Sequence, residues 1–438
     1  MLDWSLLDGP LPVLVVAAGV VAVAVLLLLP ARDREPARRR WWTRAVPLAL
    51  LGAALGAGAV VLVVDVLWRP FPDPLPGAVV VAVAGGLAAA GLGVAALARR
   101  RWWAPAAAAV VVLALAQGVN AYYEEYPTLR TALGLAAADV LPFADVAARS
   151  PQYVPPAGRP VEQGWRPPAD MPDAGVVSEV EIPATASGFP ARPAWVYLPP
   201  AYLGSTRARL PVLVLLSGQP GAPQDWLESG ELARRADAYA AAHGGLAPVV
   251  VLPDHLGDPL ANPLCVDSPL GNAFTYLTAD VPAWVRSTLQ VAPDGWAVGG
   301  LSNGGTCALQ LAVNAPDLFG VFVDVSGEDA PTLGDRATTI ARAFGGDEAA
   351  YTAVNPLDVL AARSFPDTAG YLVAGRDDAQ YRPQADRVLA ACRAAGMDVS
   401  LTELPGGHTW QVWGPGLEGA LPWLGTQLGI TAAPSGSP

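Results

Sequence analysis

Three short stretches of the chain carry the residue types that acyl transfer requires. Gly300-Leu301-Ser302-Asn303-Gly304 is a G-x-S-x-G pentapeptide, preceded by the strand-like "GWAVGG" and followed by the helix-like "GTCALQLAV". A serine hydroxyl is a weak nucleophile at its free pKa and needs an adjacent base that a third group orients. A strand that ends in this pentapeptide and turns at once into a helix holds the serine on a strained turn, with glycines where side chains would collide. Ser302 is the candidate nucleophile. The alternative is a small residue in a Gly-rich connection, in a chain that has 45 Gly.

The base follows by elimination, because the chain has three His. His243 ends a helical stretch and reads as a partner of the helix dipole. His255, in "LPDHLGDP", follows a strand on the side of the site and is a candidate pocket residue. His408 stands in "LPGGHTWQVW", on a Gly-Gly loop between the last strand and the last helix, which keeps the order Ser, acid, His. The acid falls between them. Asp378 of "YLVAGRDDAQY" is preferred, with Asp377 and then Glu328 or Asp329 of "DVSGEDAP" as alternatives. Whichever Asp of the pair is not used reads as helix N-terminal charge. Donors for an oxyanion are also needed. The backbone N–H of Asn303 is one; the other is that of Gln219 in Gly218-Gln219-Pro220-Gly221, because Pro220 has no N–H. Ser217, Trp226 and Trp410 complete the candidate pocket. No group of His, Cys or carboxylates has metal-ligand spacing, so neither a metal nor any other cofactor is expected.

The elements that would position these residues alternate. Val176 to Ile182 and Ala194 to Leu198 read as an initial antiparallel pair. Val212 to Leu216 and Val249 to Leu252 are the continuous apolar runs of parallel strands buried on both faces. Helical patterns at Asp225 to Ala242, Ala279 to Leu289, between Asp335 and Ala362, at Pro383 to Ala395 and at Leu417 to Leu428 alternate with strands at Gly295 to Val298, Val321 to Val325, Tyr371 to Val373 and Val399 to Leu404. This predicts an α/β-hydrolase fold with a mostly parallel sheet over 174–430. Residues 431–438, "TAAPSGSP", read as a disordered tail.

Ahead of that domain the composition changes. Of 438 residues 53% are hydrophobic and 15% charged, and the apolar excess lies before residue 122. Four apolar runs, 11–29, 45–68, 78–98 and 104–122, are each about 20 residues long, enough to cross a hydrocarbon core as a helix. The first connection carries Arg32, Arg34, Arg38, Arg39, Arg40 and Arg44, the third Arg99, Arg100 and Arg101, the second a single Arg. The positive-inside rule puts the Arg-rich loops in the cytoplasm and both termini outside, with Trp41, Trp42, Trp102 and Trp103 at headgroup level. The first ten residues hold Asp3 and Asp8 and no basic residue, so they do not read as a cleaved signal peptide. Residues 123–173 are Pro-rich and read as a linker or strap, with a short helix candidate at Leu129 to Val140. Residues 1–122 carry a net charge of +4 and the remainder −16, a balance that repels phosphate backbones and argues against nucleic acid as a partner.

"LLSGQPGAPQDW", "GGLSNGGTCA" and "GGHTWQVW" together resemble the putative esterase family, which includes esterase D-like enzymes and the mycolyltransferases of mycolic-acid envelopes. The resemblance covers about 175–430, and the four apolar runs resemble a membrane-anchored subset. By position it implies Ser302 as nucleophile, His408 as base, and Gln219 and Asn303 as oxyanion donors. Ser217 stands where the family often has His or Asp, and the acid loop offers Asp where mycolyltransferases use Glu. Cys265 and Cys307 are either a disulfide that pins a loop to the helix after Ser302 or two separate buried thiols, and Cys392 is left over. The expected function is an outward-facing, multi-pass membrane serine esterase acting on an ester substrate, lipid or cell-envelope component included. An envelope acyltransferase with the same triad is one alternative, an inactive membrane-anchored scaffold another. The oligomeric state is left open.

Overall fold

In the computed structural model, which describes residues 2–68, 74–135, 140–146 and 148–433, the change of composition near residue 122 becomes a division into two compact units. The first runs from Met1 to Leu135 and the second from Ala136 to Pro438. The first unit holds α1 (Pro10–Ala31), α2 (Ala37–Trp68), α3 (Gly77–Leu97) and α4 (Ala104–Tyr123), all long and apolar enough to cross a membrane. Small residues let these helices approach closely. A Cβ on Gly19 would lie 2.3 Å from that of Ala114, and one on Gly93 3.1 Å from that of Ala108. Leu48, Leu55, Val81 and Leu113 point outward and are exposed. Trp42 and Trp102 are exposed as well, whereas Trp41, expected at the headgroups, is fully buried and donates its indole N–H to Leu27 O at 3.1 Å. The reason is local: α2 begins eight residues earlier than the apolar run, and its first turns fold back onto α1.

The chain after α4 stays with the first unit further than the composition implied. Leu129 N–H donates to Trp4 O and Arg130 pairs with Asp3. The helix expected over Leu129 to Val140 is one turn, Leu129–Ala132, followed by Gly134 at φ 63°. Residues 136–139 of that stretch, the second connection's Arg69 and tail residues 434–438 lie outside the described residues.

In the second unit the described residues form an eight-stranded sheet: β1 (Val176–Val180), β2 (Ala194–Leu198), β3 (Val212–Leu216), β4 (Val249–Leu252), β5 (Ala297–Leu301), β6 (Val321–Val325), β7 (Ala369–Gly375) and β8 (Asp398–Leu404). Their spatial order is β1-β2-β4-β3-β5-β6-β7-β8. Only β2 runs against its neighbours; from β4 to β8 every pairing is parallel. β3, β4 and β5 are buried throughout, as strands covered on both faces must be. The Pro-rich stretch is a strap: Gln152–Tyr153 pairs with Arg207–Ala208, Val161 N–H donates to Gly429 O, and the Trp165 indole donates to Gly244 O.

Two of the helix boundaries that differ from the sequence reading bear on the site. The segment 225–242 breaks into Asp225–Glu228 and Leu232–Ala242 at Glu231, whose φ is 47°. The last helix, Trp410–Gln427, starts directly after the His408 loop instead of at Leu417, with Pro415 and Pro422 inside it. Pro415 is exposed, but the next residue is packed: a Cβ on Gly416 would be 2.9 Å from Val373. Tertiary contact overrides the local breaker here.

Candidate active site

The site lies where the parallel strands end at their C-termini, so that turns from separate strands converge. Ser302 joins β5 to α5 (Asn303–Asn314) at φ 51° and ψ −120°, a region that disfavours a residue with a Cβ. Close packing holds it there. A Cβ on Gly304 would lie 2.3 Å from Ser217 O, and one on Gly300 2.3 Å from the Gly304 backbone, so both positions exclude any larger residue. The Ser302 N–H donates to Val325 O across the sheet at 2.8 Å.

Beyond β8 the Gly-Gly loop carries His408, whose Nε2 is 2.9 Å from Ser302 Oγ. Its Nδ1 is 3.0 Å from Asp378 Oδ2, on the turn after β7. Asp378 Oδ1 accepts the N–H groups of Tyr381 (2.9 Å) and Gln380 (3.2 Å). Burial alone would raise this carboxyl, but the bond to His408, its charge and the two backbone donors outweigh it, and the carboxyl sits below the usual range. Asp377 is exposed and turns toward the Gly406 N–H, tying the acid loop to the histidine loop. Glu328 donates its N–H to Thr306 Oγ1, and Asp329 pairs with Arg387.

A column of rings fixes the imidazole. Tyr381 stacks on it with centroids 3.8 Å apart, Trp413 meets it edge-on at 5.0 Å, and Trp410 and Trp226 continue the series. Trp226 is fully buried and Trp410 nearly so. The Trp226 indole N–H donates to Leu216 O at 2.8 Å, which holds the end of β3 from beneath.

The turn after β3 passes beside the serine: a Cβ on Gly218 would be 3.5 Å from Ser302 Cβ. The turn that carries Gln219 thus lies beside Ser302, and the Asn303 N–H opens α5 and so has no intrahelical acceptor. Ser217 is fully buried below this turn, and among the described residues its hydroxyl has no hydrogen-bond partner. His255 is fully buried too, at the end of β4, with Nε2 3.1 Å from Asn303 Oδ1. Burial pushes its pKa down to about 4 against the pull of Asp254. Asp254 is clamped by Arg192 (2.7 Å), which also donates to Gly221 O at 2.9 Å. Cys265 and Cys307 form a disulfide between the loop after β4 and α5, and Cys392 is free and buried. Sequence reasoning missed Arg192, Asp254, Asn262 and Tyr381. Asp254 carried a signal in its place beside His255 at a strand end; Arg192 carried none. No metal-binding group of His, Cys or carboxylates occurs among the described residues.

Under the serine turn, Asp324 of β6 is buried with its Oδ1 on the Gly327 N–H at 2.8 Å. Burial pushes its carboxyl up to about 7 from 3.8. Between those values the folded state keeps a proton that the unfolded chain has lost, so stability falls as pH rises through this window and levels off above it. Asp324→Asn keeps the acceptor for Gly327. It is expected to leave stability nearly unchanged at pH 4 and to raise it clearly at pH 8, as read by denaturant unfolding at both values.

Hydroxyl, imidazole and carboxylate in one hydrogen-bonded series, on three turns at the C-terminal edge of a mainly parallel sheet, define a serine hydrolase of the α/β-hydrolase fold. Within that class the profile described as Putative esterase matches residues 191–424, and the chain belongs to this family of serine carboxylic ester hydrolases. An uncharacterized protein of Corynebacterium glutamicum is 34% identical over 98% of this chain and 100% of its own length. The MPT51 antigen of Mycobacterium leprae is 43% identical over 12% of this chain and 18% of its own. Among solved structures, an S-formylglutathione hydrolase from Agrobacterium tumefaciens is 20% identical with a TM-score of 0.49, covering 59% of this chain and 97% of that one. A ferulic acid esterase is 20% identical with a TM-score of 0.48, covering 58% and 97%.

Proposed function

We propose that this chain is a multi-pass membrane serine esterase whose hydrolase unit faces the extracytoplasmic side and cleaves esters of lipidic or envelope components. The observation that carries the catalytic part is the series Ser302 Oγ, His408 Nε2, His408 Nδ1, Asp378 Oδ2, with successive bonds of 2.9 and 3.0 Å. Ser302 Oγ attacks the ester carbonyl as its proton passes to His408 Nε2. The oxyanion that forms is met by the N–H groups of Gln219 and Asn303. Collapse breaks the carbonyl–alkoxy bond, and the leaving alcohol takes the proton from His408. Water, deprotonated by the same imidazole, then releases the acid from acyl-Ser302. Asp378 keeps the imidazole in the tautomer that can accept at Nε2 and offsets the charge of the imidazolium.

Anchoring is supported by α1 to α4, whose outward Leu and Val side chains need an apolar solvent, and by the arginines clustered in the first and third connections. The disulfide fits a compartment that does not reduce it. A membrane-impermeant fluorophosphonate applied to intact cells tests both parts. The expected result is labelling of the full-length chain equal to that in permeabilised cells, and none of Ser302→Ala. Labelling only after permeabilisation would reverse the orientation, and unlabelled folded wild type would leave an inactive scaffold.

A further inference from the structure

The backbone N–H of Asn303 is one proposed oxyanion donor, and its side chain is the middle of a polar chain that the mechanism does not use. His255 Nε2 lies 3.1 Å from Asn303 Oδ1, Asn303 Nδ2 lies 3.2 Å from Asn262 Oδ1, and Asn262 Nδ2 lies 3.2 Å from Thr332 O. The directions of these bonds follow from the far end. A backbone carbonyl only accepts, so Asn262 turns its amide nitrogen to Thr332 and its oxygen to Asn303; the Leu264 N–H, 3.0 Å from the same oxygen, requires the same orientation. Asn303 therefore gives its amide hydrogen to Asn262 and its oxygen to His255, and His255 must donate from Nε2. Burial keeps this imidazole neutral, with its one proton on that nitrogen and Nδ1 bare. Among the described residues Nδ1 has no hydrogen-bond partner, as this tautomer requires when no donor is near.

The loop that supplies Asn262 also reaches the other donor. Leu260 O accepts from the Gln219 side chain at 3.0 Å, and Pro259 O accepts the Gly221 N–H at 3.1 Å. Its far end is fastened to α5 by the Cys265–Cys307 bridge and by Gln310 Nε2 on Leu264 O at 2.9 Å. One short segment, 259–265, thus grips the β3 turn and the start of α5 together, while His255 grips Asn303 from β4.

We propose that His255 and Asn262 are positioning residues for the oxyanion donors: they hold Asn303 from both sides, and the loop of Asn262 sets its spacing from Gln219. This rests on the reading of Ser302 as the nucleophile. The need for such a brace is local. The peptide between Ser302 and Asn303 opens a helix: its carbonyl is held by the Thr306 N–H at 3.0 Å and Thr306 Oγ1 at 3.2 Å, but its N–H has no intrahelical acceptor, so the hold on the donor end falls to the Asn303 side chain. Donors aimed at a developing charge lose their value when they are misplaced by a fraction of an ångström.

The test uses the full-length chain in detergent, with p-nitrophenyl butyrate as substrate and a fluorophosphonate to count reactive Ser302 sites. His255→Leu and Asn262→Ala are each expected to lower kcat per labelled site about 10- to 100-fold, a share of what loss of one oxyanion donor costs, with KM changed less than about threefold. His255→Gln carries an amide nitrogen near the place of Nε2 and is expected to recover at least about half of that loss on a logarithmic scale. Combining Asn303→Ala with His255→Leu is expected to cost no more than the worse single change, because both act through one side chain. If His255→Leu or Asn262→Ala lowers only the melting temperature or the labelled fraction, with kcat per site unchanged, the brace is structural and the proposal is overturned. Should wild type remain unlabelled, or Ser302→Ala retain hydrolysis, the esterase reading itself falls and takes this inference with it. Asn262 lies on a loop, so its variant remains informative where a change at the core position 255 prevents folding.

Discussion

Ser302→Ala is expected to lower kcat by about a millionfold on a small soluble ester, while the protein folds as before. The size follows from what is removed. The hydroxyl forms the covalent bond, and without it only the oxyanion donors and substrate binding act on the reaction, which leaves a small residual rate over water. The fold is spared because the strain at this residue belongs to its Cβ at φ 51°, and alanine keeps the Cβ. Ser302→Gly would relieve that strain, and its melting temperature should exceed that of Ser302→Ala. His408→Ala should cost about as much as Ser302→Ala, and the double variant no more than either. Nucleophile and base act as one unit through a single 2.9 Å bond. Turnover of p-nitrophenyl butyrate, with circular dichroism as the check on folding, measures all of these. Independent, additive losses would mean that the two side chains do not share one step.

Much of this arrangement is legible in residue order because the features concerned are local. β3 and β4 show as uninterrupted apolar runs, and the serine turn shows as glycines at the two places where neighbouring backbone leaves no room for a side chain. With three His in the chain, the one between β8 and the last helix could be picked out without knowledge of contacts. What sequence reasoning missed depends on residues far apart in the chain. Arg192 reaches Asp254 across 62 positions, and Asn262 reaches Asn303 across 41; nothing near either residue marks the pairing. The ring series Trp226, Trp410, Trp413 and His408 likewise joins residues far apart in the chain, and the Trp226 indole N–H is satisfied inside by Leu216 O. The last helix starts at Trp410, ahead of the apolar pattern that begins at Leu417, because the packing that carries it through Pro415 is not written in the local sequence. The composition break near residue 122 marked where apolar helix ends; the turn that follows, through Arg130, returns to Asp3 and belongs with the helices.

Asp378 and Asp377 are adjacent, and replacing each in turn by Asn is expected to separate them by about three orders of magnitude. Asp378 Oδ1 is occupied by the N–H groups of Gln380 and Tyr381, so Oδ2 alone faces the imidazole. In Asp378→Asn the amide oxygen must stay with those two backbone donors, which turns the NH2 toward His408 Nδ1. Two donors cannot face each other, so the imidazole takes its proton on Nε2 and offers Nδ1 as acceptor. Nε2 then cannot remove the proton of Ser302, and kcat is expected to fall about 10⁴-fold, the cost of the wrong tautomer in serine hydrolases, with KM little changed. Asp377→Asn keeps an oxygen for the Gly406 N–H, and its own N–H still donates to Gly406 O, so the histidine loop stays tied and kcat should fall less than about fivefold. Measured side by side at one pH, the ratio of the two losses reports which carboxylate orients the base. Equal losses would mean that the loop's position, and not the charge at 378, sustains the imidazole.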